Sequence, residues 1–409
     1  MNNWRAHFRD LKFKDTFLLA SSSAFGQIIS YLFLPMLGRI FSPQEFNEFA
    51  LIYAVIVPLS ILASFKIELS IPQYQNIEEK YAATRVAIFS ILFQSILILI
   101  IIFFIYFFYP ISPYWFYLPL GVISFAFPQV LNVLVTSCLE YKKNSWYRII
   151  NNLTLQLTTA LLGLIGWGAH GLMVGFLVGQ FIGGLILLNG HEKYIFTSEL
   201  RLIKFKDFLP YSSFLKFSTP QGIIETLQLS GTIAVLSYCF GDPIPGSYYL
   251  AWRILQAPIT MISNTIFVVQ YNQCSSLKIQ NLSYRKKMLK IFSILFILGL
   301  LTGIGFIYLG REIFIFFLGR QHYLAGEISE MIGIWFILQF SLSPFSFIAL
   351  LEKKQNILFY INIIDLILKF IGLFIGFCME DLQIALYLYS IFSAMVMMLS
   401  GIWFFKIAR

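Results

Sequence analysis

The stretch TRVAIFSILFQSILILIIIFFIYFF, residues 84–108, decides the fold class. After Arg85 it runs to Phe108 without a charge. Wound as an α-helix it would be ~38 Å long, more than the roughly 30 Å of hydrocarbon in a bilayer. Eleven further apolar runs flank it, at about 17–37, 46–65, 115–138, 148–168, 170–189, 213–238, 247–270, 288–309, 328–350, 357–378 and 382–405. Composition agrees: 58% of the 409 residues are AVILMFWYC and 12% are charged, against roughly 25% charged in soluble proteins. An ordinary globular enzyme is excluded. The expectation is an all-α polytopic membrane protein of about 12 transmembrane helices.

Lysines and arginines orient the spans, because cytoplasmic loops carry the positive excess. With the N-terminus inside, 24 of the 29 Lys and Arg residues fall in cytoplasmic segments. Arg39, Arg311 and Arg320 fall outside, and Arg253 and Lys369 lie within spans. Both termini are therefore expected in the cytoplasm. The net charge of +9 reports those loops. No basic run carries the stacking aromatics of a nucleic-acid surface, so no nucleic-acid partner is expected. Met1 to Asp15 sets Trp4, Phe8 and Leu11 on one helical face and Arg5, Arg9 and Lys12 on another, as suits a helix lying on an anionic leaflet. The first apolar run reaches full membrane length, so it is read as a retained span.

The spans divide into two sixes. Leu139-Glu140-Tyr141-Lys142-Lys143-Asn144 follows span 4, and Leu351-Glu352-Lys353-Lys354-Gln355-Asn356 follows span 10. Phe41-Ser42, Phe49-Ala50-Leu51 and Pro58 are echoed by Phe240-Gly241, Tyr249-Leu250-Ala251 and Pro258. Six spans return the chain to its starting side. The expected architecture is thus two six-helix bundles related by a parallel pseudo-twofold repeat: residues 1–189, a cytoplasmic linker over 190–211, and residues 212–409.

Charges inside a bilayer are costly and usually face a protein interior or an aqueous cavity. Four stand within spans: Glu225, Arg253, Asp365 and Lys369. Helical spacing sets Gln221, Glu225, Gln228 and Thr232 on one face of span 7, and Tyr249, Arg253, Gln256, Thr260 and Asn264 on one face of span 8. Either a water-filled cavity or interhelical hydrogen bonding explains such stripes. Asp365 and Lys369, four apart, either neutralise each other or face a cavity. Glu225 has no opposite charge on its own helix; it pairs across to Arg253 or carries a proton. Gly171, Gly175, Gly179 and Gly183 leave one face of span 6 without side chains, where a neighbouring backbone can approach.

Catalytic constellations are absent from the sequence. His191-Glu192 lacks the second His of a zinc site, and no GxSxG or glycine-rich phosphate loop occurs. Cys138, Cys239, Cys274 and Cys378 are scattered without CxxC spacing, so neither a metal site nor a disulfide framework is expected. No cofactor is implied, and the chain is not expected to be an enzyme.

Several segments resemble a known family. Gly246-Ser247-Tyr248-Tyr249-Leu250-Ala251-Trp252-Arg253-Ile254-Leu255-Gln256-Ala257-Pro258 resembles the Gly-x-Tyr-x-Leu-Ala-aromatic-Arg and Pro segment of the Wzx-type polysaccharide flippases. Leu318 to Glu327 is similar to that family's Phe-Gly-x-x-aromatic-x-x-Ala-Gly loop. Gln339-Phe340 through Ser343-Pro344 is similar to its following helix. Ile67-Glu68-Leu69-Ser70-Ile71-Pro72 is similar to its Tyr-Glu-Leu-Ala-Ile segment, with Ile67 in place of Tyr.

The resemblance implies the multidrug/oligosaccharidyl-lipid/polysaccharide exporter fold, with two six-helix bundles around a cavity that opens alternately to each side. The implied substrate is a polyprenyl-pyrophosphate-linked glycan, an O-antigen or other surface polysaccharide repeat unit, crossing the bacterial cytoplasmic (inner) membrane. Polysaccharide polymerase and other assembly proteins are the implied partners, beside the lipid bilayer. Arg253 stands at the family's Arg position, and a guanidinium suits bidentate pairing with pyrophosphate oxygens. Lys369 and Arg39 join it as candidates from charge and depth, and Gln221, Gln228, Gln256 and Asn264 from the polar stripes. Glu225 and Asp365 are the candidates for proton or cation coupling. Two competing readings are a cation-coupled multidrug exporter, which those acids would serve, and a membrane polysaccharide polymerase, which would carry a larger outside loop.

Overall fold

The computed structural model describes residues 21–22, 24–110, 112–196, 203–280 and 282–408, without a few side chains, that of Asn264 among them. The stretch from Met1 to Asp15 and Ser23 lie outside the described residues. Every element among the described residues is a helix, as the composition requires, because a backbone in hydrocarbon must satisfy its own hydrogen bonds. Apart from short helical turns such as Glu192–Ile195, they are in chain order α1 (Ala24–Ile40), α2 (Pro43–Ser64), α3 (Ile77–Phe108), α4 (Leu118–Ser137), α5 (Tyr141–Leu164), α6 (Ala169–Leu188), α7 (Phe214–Leu227), α8 (Ser230–Phe240), α9 (Ile244–Ile279), α10 (Arg285–Leu318), α11 (Tyr323–Met331), α12 (Gly333–Leu351), α13 (Gln355–Cys378) and α14 (Leu382–Ile407).

Among the described residues each of the twelve apolar runs falls on helical elements, 213–238 on the pair α7 and α8, which bend by 46° at their junction, and 328–350 across α11 and α12. The count of spanning helices is smaller. Among the described residues eight are long and apolar enough to cross a membrane, or nine with the bent pair as one span. The remaining runs fall short for different physical reasons. Helix α1 is a short apolar helix as described. Helices α5 and α9 have the length, but carry too many Asn, Gln, Thr and charged residues. Side-chain caps start some of the long helices where polar residues interrupt the apolar pattern. The Asn76 side chain accepts from Glu78 N at the start of α3, and Asp381 Oδ1 accepts from Gln383 N and Ile384 N at the start of α14, each satisfying otherwise orphaned amides.

Among the described residues the chain packs as two compact units, one within 1–41 and 48–230, the other within 42–47 and 231–409. In the first, the glycine face of α6 lies against α5: a Cβ at Gly175 or Gly179 would come within 2.9 Å of the Cα of Thr159 or Leu155. Its core gathers Ile67 and Ile71 of the 3-10 helix Ile67–Gln73 with Val86 and Ile91 of α3 and Val130 and Leu134 of α4. In the second, Gly376 of α13 meets the Ala385 backbone of α14 in the same manner. Residues 42–47 belong here through Asn47, whose Oδ1 accepts from Gly246 N at 2.8 Å and whose Nδ2 donates to Asp242.

The sequence echoes land on like elements. Pro58 lies inside α2 and Pro258 inside α9. Left-handed residues close the turns after α4 and α12: Leu139 with φ 63° and Lys353 with φ 54°. These turns are 214 residues apart (353 − 139), whereas Glu140 and Glu352 are 212 apart (352 − 140), so the letters and the backbone repeat two residues out of step.

Candidate functional site

Helix α9 carries the polar face that its spacing predicts. Tyr249 is buried, Arg253 is half-buried one turn later, and the two share a side-chain hydrogen bond. Gln256 follows, its Oε1 buried without a hydrogen-bond partner. Thr260 donates back to the Gln256 carbonyl at 3.1 Å. The Asn264 side chain lies outside the described residues. A guanidinium beside an unfilled amide oxygen, with Pro258 inside the same helix, is a polar surface able to hold an anionic group and the hydroxyls attached to it.

Asp365 and Lys369 are in contact. Lys369 Nζ sits 2.8 Å from Asp365 Oδ2, with side chains 4% and 10% exposed. Ser393 Oγ of α14 donates to Asp365 Oδ1 at 2.7 Å. The ammonium faces the rings of Tyr389 at 5.3 Å and Trp335 at 5.9 Å, within cation–π range. The Tyr389 hydroxyl meets that of Tyr248 at 2.9 Å, and the Trp335 amide donates to Ser390 Oγ at 3.0 Å. A buried charge pair of this kind holds only where its remaining hydrogen-bonding capacity is used, and here serine and aromatic neighbours supply it.

The other predicted residues lie in the first unit. Gln221 and Glu225 are exposed on α7, and Gln221 Nε2 donates to Glu225 Oε1 at 3.2 Å. Gln228 is half-buried at the bend before α8. Arg39 is exposed at the end of α1.

A further polar stripe runs along α5. The charge count assigns Arg148 to a loop, but the helix begins at Tyr141 and takes it in. Asn144, Arg148, Asn152 and Gln156 recur every fourth residue, a spacing that would have revealed the stripe. Arg148 Nε donates to Asn144 Oδ1 at 3.1 Å, Asn144 Nδ2 donates to Thr136 Oγ1 at 2.7 Å, and Asn152 Oδ1 accepts from Ser30 of α1 at 2.8 Å. Gln156 Oε1 and Thr159 Oγ1 are buried without partners. Each unit thus carries an arginine on a polar helical face.

At the lysine-rich ends of the spans, glutamates act as hubs. Glu140 contacts Lys143 Nζ at 3.2 Å and His191 Nε2 at 3.3 Å, and His191 Nδ1 meets the Tyr81 hydroxyl at 2.9 Å. In the second unit Glu352 receives Lys278 at 2.9 Å and the Tyr284 hydroxyl at 2.7 Å. Burial pushes the His191 imidazole below its ordinary pKa, with the Lys143 ammonium adding to it and Glu140 opposing. Glu68, between α2 and α3, has one carboxylate oxygen without a partner. Burial raises its pKa, and Lys66 opposes. Among the described residues no group of three His, Cys, Asp or Glu side chains is gathered for a metal ion.

A protein-family model described as polysaccharide biosynthesis protein matches residues 36–326. No curated protein matches the chain in sequence. Solved structures share its fold. The lipid II flippase MurJ in an inward closed conformation has a TM-score of 0.72 at 16% identity, over 95% of this chain and 89% of that one. An outward-facing multidrug resistance MATE family transporter of the MOP superfamily gives 0.60 at 14% identity, over 96% and 94%. A MOP superfamily transporter from Pyrococcus furiosus gives 0.58 at 14%, over 96% and 95%.

Proposed function

Because the chain belongs to the polysaccharide biosynthesis protein family, we propose that it is a flippase for polyprenyl-pyrophosphate-linked oligosaccharide, moving the glycan from the cytoplasmic to the outer leaflet by alternating access. The observation that carries this reading is Arg253 on the polar face of α9 beside Tyr249 and Gln256. A planar guanidinium at bilayer depth suits a pyrophosphate, and amide and hydroxyl neighbours suit sugars. Arg148 on α5 offers a second cation of the same kind. An apolar groove of about 490 Å³ between α13 and α14, walled by Ile361, Leu368, Met395 and Trp403, suits a lipid tail left in the bilayer. In this reading the membrane is a bacterial inner membrane, both termini are cytoplasmic, two six-span halves join through 190–211, and polysaccharide polymerase and other assembly proteins take up the product. The repeat unit is an O-antigen or another surface polysaccharide.

The multidrug exporter reading draws support from the MATE-like neighbours in fold. It asks for an acid free to bind a cation, and Asp365 is already neutralised by Lys369, which leaves Glu225. One experiment separates the readings. Proteoliposomes containing the chain should move a defined polyprenyl-pyrophosphate glycan between leaflets and fail to extrude cationic drugs. Drug extrusion without glycan movement would reverse the assignment.

A further inference from the structure

Helices α5 and α6 enclose a groove of about 680 Å³ whose lining changes character along its length. Glu140, Lys143 and Trp146 line it from the start of α5, and Ile182, Leu185 and Ile186 from the last turns of α6. Trp146, Leu153, Leu157 and Leu161 on α5, and Phe181 and Leu185 on α6, are large apolar side chains left exposed. Hydrocarbon tolerates such a surface, whereas an aqueous cavity would not. The polar end lies at the membrane surface, because Lys143 is in the first turn of α5 and Asn189 caps α6. The Trp146 ring, 60% exposed, enters one turn deeper, at the level where interfacial aromatics concentrate. The positive-inside distribution assigns this end to the cytoplasmic leaflet.

Charge at the groove mouth selects the occupant. Lys143 and His191 hold the Glu140 carboxylate, Lys80 donates to the Ser137 carbonyl, and Glu192 accepts from Gly190 N. Lys143 also donates to the Asn189 carbonyl, and the exposed Lys142 and Lys193 adjoin Lys143 and Glu192 in the chain. Counting these side chains with a neutral imidazole, four lysines oppose two glutamates. An anionic headgroup fits that excess, and an acyl chain fits the three aliphatic side chains below it. We propose that the α5–α6 groove is a binding site for an anionic phospholipid of the inner leaflet, its headgroup at Lys142, Lys143 and Lys193 and one chain on Ile182, Leu185 and Ile186.

Trp146 is a built-in reporter. The full chain is reconstituted into phosphatidylcholine vesicles containing brominated phosphatidylglycerol or, separately, the same fraction of brominated phosphatidylcholine. Quenching at Trp146 is read as the difference between the wild type and Trp146→Phe. The charged lipid should occupy the groove at least about fivefold more strongly, since a single lysine at an anionic surface already gives about that ratio. The exposed-surface variant Lys142→Gln/Lys193→Gln should lose most of that preference while eluting as a monodisperse folded protein. Equal quenching by the two lipids in the wild type would overturn the proposal, and so would a preference undiminished in the double variant. Because both side chains are exposed, that variant remains informative if Lys143→Gln fails to fold.

Discussion

Lys369 Nζ lies 2.8 Å from Asp365 Oδ2 one turn away on α13, and both side chains are nearly closed off from the surface. Spacing alone leaves a self-contained pair and a cavity role equally open, whereas the surroundings favour the first. Ser393 occupies the second carboxylate oxygen, and two aromatic rings face the ammonium. Removing one partner strands the other charge. Lys369→Met should therefore destabilise the protein by about 3–5 kcal/mol, and Asp365→Leu/Lys369→Met should recover most of that loss. Thermal unfolding in detergent measures both. If Lys369→Met instead abolishes transport with unchanged stability, Lys369 is a substrate ligand.

Arg253 differs in being half-buried and placed beside polar groups of its own helix. Arg253→Ala should abolish glycan movement in proteoliposomes while insertion and folding persist. Arg253→Lys should retain part of it, because the charge survives and the planar fork does not. Full activity in the Ala variant would exclude the residue from the mechanism.

Long apolar helices such as α3 are legible because twenty uncharged residues have few other fates in water. The stripe on α9 is legible because its residues keep helical spacing through an apolar run. The stripe on α5 hides because Lys142, Lys143 and Arg148 together look like loop charge, and the helix starts about two turns earlier than its apolar part. The aromatic surroundings of Lys369 come from α12 and α14, and local spacing holds no record of such tertiary neighbours. The bend between α7 and α8 falls beside Ser230-Gly231, a pair that permits a kink but does not by itself announce one within an apolar run. The position of Arg148 has its own consequence. Arg148→Ala should lower transport while Arg148→Lys retains more of it, and equal loss in both with a lower melting temperature would mark a packing role.

His191 makes stability depend on pH. Its folded pKa is depressed, chiefly by burial, while an unfolded histidine titrates near 6.5. The native state therefore binds fewer protons than the unfolded state around that pH. Stability is complete above about 6.5 and falls as pH is lowered through it. His191→Gln should flatten this part of the melting-temperature profile, since the amide keeps a hydrogen-bonding group without titrating. A wild-type profile level across that range would contradict the assignment.

Glu225 is exposed on α7, its carboxylate receiving Gln221 Nε2, and the corresponding stretch of α1 has the neutral residues Gln27 and Ser30. A carboxylate whose surroundings change between two states of a transporter can bind a proton in one and release it in the other. Glu225→Gln preserves shape and a hydrogen-bonding partner for Gln221 but removes the titration. The variant should bind lipid-linked glycan nearly as well as the wild type, and its transport should respond less to an imposed pH gradient. Flux measured with and without a gradient across the vesicle membrane decides the matter. An unchanged response would reduce Glu225 to a hydrogen-bonding group and leave the coupling to another residue.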